Sequence, residues 1–314
     1  MTNQGLYVLY RKELADHFRS KRFIIILLIV AVTCLASVYS AGLGIRDAVE
    51  DEQNSFVFLK LFTASGGTLP SFATFISFLG PLVGLALGFD AINGERNRGT
   101  LSRLMAQPIH RDAIINAKFL AGCTVLAIML LTLSLAVAGF GIILIGIPPT
   151  LEELARIILY LLLTLVYMAL WLAISQLFSL LFRQTATSAL AGIALWLFFV
   201  VFMDLIAGLI ANALFPVGEN SLPAEVLRNY KVKQNIGRLS PTLLYDEAAV
   251  TILNPGVRTL GLVLTSQLEG AIAGALPLGQ SLLLVWPHVT GIIAATMLCF
   301  AIAYVYFMRQ EIRA

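Results

Sequence analysis

Phe89-Asp90-Ala91-Ile92-Asn93-Gly94-Glu95-Arg96-Asn97-Arg98-Gly99-Thr100-Leu101-Ser102-Arg103-Leu104-Met105-Ala106-Gln107-Pro108-Ile109-His110-Arg111 is a block of charge set between two runs of hydrocarbon-compatible sequence. Each flanking run approaches or exceeds the roughly 20 apolar residues that cross a bilayer core about 30 Å thick. Of the 314 residues, 59% are hydrophobic and only 12% charged, against about 25% charged in an ordinary soluble domain. Mean hydropathy is +0.87. The chain reads as an integral membrane protein, and the quoted block reads as one of its loops.

Six spans are predicted, at 23–41, 72–91, 119–147, 157–182, 189–215 and 287–308, the last opening on Pro287 as a first-turn proline. Lipid offers no partner to a free backbone N–H or C=O, so each uninterrupted run is expected to be a helix. The expected fold is all-α integral membrane: six transmembrane helices, an amphipathic N-terminal interfacial helix, and a helical external loop between spans five and six. The segments are 1–22, a cytoplasmic amphipathic helix; 23–215, spans one to five, with the charged loop at 93–118; 216–281, an extracytoplasmic loop; and 282–314, the sixth span and a tail.

Lys and Arg near span ends set orientation. One side gathers Arg11, Lys12, Arg19, Lys21, Arg22, Arg96, Arg98, Arg103, Arg111, Lys118, Arg183, Arg309 and Arg313, while the other holds Asp47, Glu50, Asp51, Glu52, Glu152 and Glu153. Both termini are therefore expected in the cytoplasm. The run 259–279 tempts a seventh span, but Gln267, Glu269 and Pro277 interrupt it, and a surface or re-entrant helix keeps Arg309 and Arg313 on the basic side. Cys34, Cys123 and Cys299 fall in separate spans without metal-ligand spacing and read as small hydrophobes. No metal site is expected. The first run is long, lacks a small-residue cleavage site, and reads as a retained anchor.

Leu6, Leu9, Tyr10, Leu14 and Phe18 recur at helical spacing, with Arg11, Lys12, Asp16 and Arg19 on the other face. An interfacial helix results, its basic groups placed for lipid phosphates, beside the plainer reading of a cationic flank. In the quoted loop, Gly99 permits a chain reversal, the Thr100 hydroxyl is available as a helix cap, and Leu101, Leu104 and Met105 share a face. Gln107-Pro108 stops that short helix and Asp112 caps the next. Asp90 and Glu95 among Arg96 and Arg98 suggest a local ion-pair network. Asp204, the clear acid within a span, joins Asp90 as a candidate intramembrane polar site. Thr132, Ser134, Ser175 and Gln176 are expected to bridge helices.

The net charge of +3 gives no case for nucleic acid. The chain holds no Gly-Lys dipeptide and hence no G-x-x-x-x-G-K-[ST] phosphate loop. Glu152-Glu153 and Arg156 invite an intramembrane protease, but no nucleophile has a base at suitable depth, and His17, His110 and His288 are scattered.

Taken together, Asp90, Glu95-Arg96, Gly99-Thr100-Leu101 and Pro108-Ile109-His110-Arg111 resemble the cytoplasmic loop of ABC-type-2 permeases. The likeness extends to the N-terminal helix, the six spans and Leu239-Ser240-Pro241 in the last external loop, and its layout is similar to the copper-associated and gliding-motility kinds. The resemblance implies that Glu95, Arg96, Gly99, Thr100, Leu101, Leu104, Pro108, Ile109 and Arg111 couple to a separate ATPase, the apolar face of the helix entering a groove on that partner. Arg183, Gln184 and Thr185 form a second cytoplasmic contact, or simply a tight reversal. Implied partners are two copies of an ABC ATPase carrying ATP and Mg, a second permease copy or relative, and membrane lipid. The chain itself, which lacks an ATP-binding motif, is expected to bind no cofactor and not to be an enzyme. The implied setting is a prokaryotic cytoplasmic (inner) membrane. Three readings remain: an ATP-driven exporter, a membrane anchor or force-transmitting assembly factor using 216–281 (Tyr230, Tyr245, Asp246) for an extracytoplasmic partner, and a secondary carrier.

Overall fold

The computed structural model describes residues 2–49, 56–65, 69–146, 148–218, 221–260 and 275–310. Among these residues every regular element is helical. α1 (Thr2–Arg19) leads into α2 (Lys21–Val49), a short α3 (Val57–Thr63) and α4 (Phe72–Gly88). The charged loop folds as α5 (Asn93–Asn97) and α6 (Thr100–Met105), followed by α7 (Arg111–Ile145) and α8 (Leu151–Leu181). The fifth run is α9 (Thr185–Leu197) and α10 (Met203–Leu214), joined by a π turn at Phe198–Phe202. α11 (Pro223–Gly237), α12 (Pro241–Leu253) and α13 (Leu278–Arg309) complete the chain. Among the described residues, six helices are long and apolar enough to cross a bilayer. Asp47, Glu50, Asp51, Glu52 and residues 261–274 lie outside the described side chains, and with them most of the run 259–279.

α8 is the centre. It packs against α4, α7, α9, α12 and α13, and 67% of its most apolar stretch is buried against 17% for spans five and six. Its start is well specified: Thr150 accepts the Glu153 N–H, and the Glu153 carboxylate accepts the Thr150 N–H at 2.8 Å, a reciprocal cap. Arg156, one turn further, is fully buried. It donates to the carbonyls of Ile252 (3.0 Å) and Leu276 (2.6 Å) and pairs with Glu152 at 3.0 Å, stapling α8 to the end of α12 and the approach to α13. These residues, which had suggested a protease, hold the bundle.

α4 meets α8 through Gly80, Gly84 and Gly88, one every four residues. A Cβ at Gly84 would stand 2.6 Å from the Met168 carbonyl oxygen, and one at Gly88 2.9 Å from Ser175 Cβ. The two backbones approach as closely as small-residue stripes allow in membranes. Ser175 Oγ crosses the same interface to the Leu85 carbonyl at 2.7 Å. Thr132 instead donates to its own helix. Among the described residues, Ser134 Oγ and Gln176 Oε1 find no hydrogen-bond partner.

Two expectations are corrected here. The sixth span starts at Leu278, with Pro287 inside it. Proline lacks the N–H that would close one helical bond, and the Thr290 hydroxyl donates to the Trp286 and Pro287 carbonyls at 3.0 Å each beside the break. Within the helical segment between spans five and six, α12 is also no free surface. α12 packs against α3, α4, α8 and α13. Tyr245 is fully buried, stacked on Tyr167 at 4.2 Å, with its hydroxyl 2.9 Å from Thr164 and 3.2 Å from Tyr160. Thr164 lies about 20 Å along α8 from Leu151 at 1.5 Å per residue, so α12 dips into the bundle. Tyr245 is withdrawn from any outside partner.

Candidate functional site

Where α4 ends, the chain is pinned before it turns. The N–H groups of Ile92 and Asn93 both donate to Ser179 Oγ near the end of α8 (2.9 and 3.1 Å), and Asn93 Nδ2 reaches the Phe182 carbonyl at 3.3 Å. Ile92 and Asn93 are buried. The charged loop and the α8–α9 connection are thereby tied together. In that connection Arg183 and Gln184 are exposed and Thr185 opens α9.

Gly99 takes the left-handed conformation (φ 67°, ψ 14°) as the residue before α6. A Cβ there would touch nothing, so glycine is required by the turn rather than by space. Thr100 does not cap α6. Its hydroxyl reaches back to the Glu95 carbonyl oxygen at 3.2 Å and to the Glu95 carboxylate. Asp112 sits in the first turn of α7, after the flanking His110, and its carboxylate accepts the Ala113 N–H at 2.9 Å.

Glu95 is the hub of the site. Its carboxylate lies 3.3 Å from Lys12 Nζ of α1 and 3.6 Å from Lys118 Nζ of α7. Lys118 also meets Glu13 at 2.9 Å, and Lys12 meets Glu13 at 3.0 Å and Asp16 at 3.1 Å. The side chains of Glu13, Glu95 and Lys118 are each at most 10% exposed. Burial alone would raise the Glu13 carboxyl, but the ammonium groups of Lys118 and Lys12 hold it below its ordinary value. Lys12 is driven above its own, against the opposing pull of burial, chiefly by Glu13.

The expected local ion-pair network is thus replaced by pairing across the fold. Arg96 and Arg98 do not neutralise Asp90 and Glu95. Asp90 pairs with Arg22 of α2 at 2.7 Å, and Arg98 turns to its own Gly94 carbonyl. Glu13 and Lys118, the two partners not singled out from sequence, did leave a signal. Glu13 follows Leu6 and Leu9 on the apolar stripe of α1, and Lys118 opens the apolar run of α7. A charge in each place calls for a mate.

The apolar face of α6 looks inward. Leu101 is 2% exposed and belongs to a small core with Leu9, Ile92, Ile114, Leu180 and Phe307, against which Leu104, Met105 and Ile109 pack. Leu101 is thus enclosed within the subunit, whereas Leu104 stays half-buried at its edge. What α6 and its exit present outward is Ser102, Arg103, Ala106, Gln107, Pro108, His110 and Arg111, the last donating to the Gln310 carbonyl at 3.3 Å. Arg96 is half-buried. On α1, Arg11 lies over the Tyr7 ring, Phe18 meets Phe23 edge-on at 5.7 Å, Arg19 is exposed, and Lys12 faces Glu95 rather than lipid phosphate alone. Asp204 is largely exposed and pairs with Lys233 of α11 at 2.9 Å, so it is no buried site. Among the described residues, no three His, Cys, Asp or Glu side chains gather as a metal site. The junction is a short surface helix tied by charge and by a small core to α1, α7 and α8.

Comparison with known proteins agrees with this architecture. The ABC-2 family transporter protein profile matches residues 7–312. A probable ABC transporter permease protein NosY of Pseudomonas aeruginosa is 31% identical over 212 residues, covering 64% of this chain and 68% of that protein. The protein of the same name from Stutzerimonas stutzeri is 29% identical over 203 residues, covering 62% and 67%. The chain belongs to the ABC-2 family of transporter membrane proteins.

Proposed function

We propose that this permease subunit serves an ATP-driven exporter and that α6 is the point at which a separate ATPase moves it. The observation that carries the reading is Glu95, which joins α6 through Thr100 to α1 through Lys12 and to α7 through Lys118. Such an arrangement passes a push on the loop into two helices at once, and the Ser179 contact brings in α8. The outward groups of the loop, Arg103, Gln107, Pro108 and Arg111, meet the ATPase, with Arg183 and Gln184 beside them. Two ATPase chains, holding ATP and Mg, close beneath two permease copies in a prokaryotic inner membrane with both termini cytoplasmic. Arg11 and Arg19 rest among lipid headgroups.

The test is site-directed crosslinking from Ser102→Cys and Gln107→Cys to the ATPase in native membranes, with transport-stimulated ATP hydrolysis measured on the reconstituted complex. Crosslinks at both positions, and loss of stimulation in Arg103→Glu while the permease keeps its thermal stability, are expected. Absence of ATPase from both crosslinked products overturns the reading. ATP-driven movement without cargo crossing the bilayer would replace the exporter with a force-transmitting subunit.

A further inference from the structure

At the other end of the bundle, a cavity of about 510 Å³ lies between α4, the π turn and α12. Its size falls within the roughly 300–1,000 Å³ of small-molecule sites. Phe78, Phe199, Val200 and Met203 supply apolar walls, and Ser77 and Thr242 supply hydroxyls. Asp246 of α12 also lines it, half-buried. The Asp246 carboxylate accepts the Ser77 hydroxyl and pairs with no cation among the described residues. Other acids near it are matched: Asp204 at the rim has Lys233, and Glu247, the next residue of α12, has Arg238 at 2.9 Å.

A carboxylate in a low-dielectric wall with one hydroxyl partner requires a cation or a proton. The cavity beside it offers aromatic rings, which attract an ammonium group over their faces. The π turn places Phe199 in this wall, and its carbonyl takes the Ser240 hydroxyl at 3.5 Å, so the irregular backbone of span five is fastened to α12 at the cavity. π turns of this kind recur at functional sites. Beyond it, span five exposes Val201, Phe202 and Leu205, a surface for an apolar tail.

We propose that this cavity binds the ammonium head of an amphipathic amine, with Asp246 as counter-ion and Phe78 and Phe199 as its aromatic wall. The head belongs either to a free amine or to an amine-bearing lipid. Binding is a property of the permease itself, so the test needs no ATPase, and its failure leaves the coupling role of α6 untouched.

The experiment is equilibrium dialysis of radiolabelled decyltrimethylammonium against the purified full chain in maltoside micelles, with empty micelles as the blank. Saturable binding is expected, weakened about tenfold or more by Asp246→Asn, which removes the counter-charge of one ion pair. Asp246→Glu keeps the charge and is expected to retain binding, which separates the site from a folding defect. Decyl sulfate is expected not to compete. Competition by added phosphatidylethanolamine assigns the site to a lipid headgroup, and its absence assigns it to a free amine. Unchanged binding in Asp246→Asn, or equal competition by decyl sulfate, overturns the proposal and leaves Asp246 as a protonated wall residue.

Discussion

The two ends of this bundle treat buried charge differently. At the loop end, Glu13, Glu95, Lys12 and Lys118 satisfy one another across three elements far apart in sequence. At the far end, Arg156 is enclosed by carbonyls and Glu152, whereas Asp246 of α12 has one hydroxyl partner and an open cavity. A closed charge network fixes distances between helices. An open carboxylate leaves its environment to be completed from outside. On the readings proposed above, the contrast separates a region that carries movement from one that receives a guest.

The strongest way to break the contrast is Lys118→Met. It strands Glu13 and Glu95 in a buried site with the half-exposed Lys12 alone, a change that costs about 3–5 kcal/mol where one member of a buried pair is removed. A large drop in the thermal transition is expected, and adding Glu13→Gln should recover part of it. A smaller loss, about 1–3 kcal/mol for forced overpacking, is expected from Gly84→Ala, because the new methyl group meets the Met168 carbonyl at 2.6 Å. Both ends should loosen together, since α4 and α8 hold them in register.

The contrast is sharpened by pH. Glu13 has a folded pKa below its ordinary value, so it contributes stability above the unfolded carboxylate pKa of about 4.3. That contribution falls away as the pH drops from there through the lower folded value. Thermal melts across this window should lose their slope in part in Glu13→Gln. Smallest is Asp246→Asn, expected to leave stability within about 0.5 kcal/mol or raise it, because it removes an unpaired charge.

Much of this was legible in the chain. Apolar length gave six helices, and Gly99 with Pro108 bounded α6. Which way α6 faces was not legible, because periodicity shows that Leu101, Leu104 and Met105 share a side without saying whose surface covers it. Glu13 and Lys118 are 105 residues apart, so their pairing is a property of the fold, although a charge within an apolar stripe announced that each needed a mate. α12 has only 13 residues, too few to read as a span, and only its packing on Tyr160 and Tyr167 reveals that it enters the bundle. Pro287 resembled a helix start because a first-turn proline and a proline inside a membrane helix look alike in sequence. Gly80, Gly84 and Gly88 form a four-residue repeat that was open to reading and marks the α4–α8 contact.

In the proposed mechanism Glu95 and Thr100 carry movement from the loop to the far end. Its most direct test is a spin-label distance between Gln107→Cys and Val250→Cys, in a chain whose Cys34, Cys123 and Cys299 are replaced by Ala, reconstituted with its ATPase. ATP with vanadate should change that distance in the parent. The change should be lost in Thr100→Val, which removes the hydroxyl bond to Glu95 at a cost of about 1 kcal/mol while the ATPase stays bound. An undiminished distance change in Thr100→Val would contradict the account.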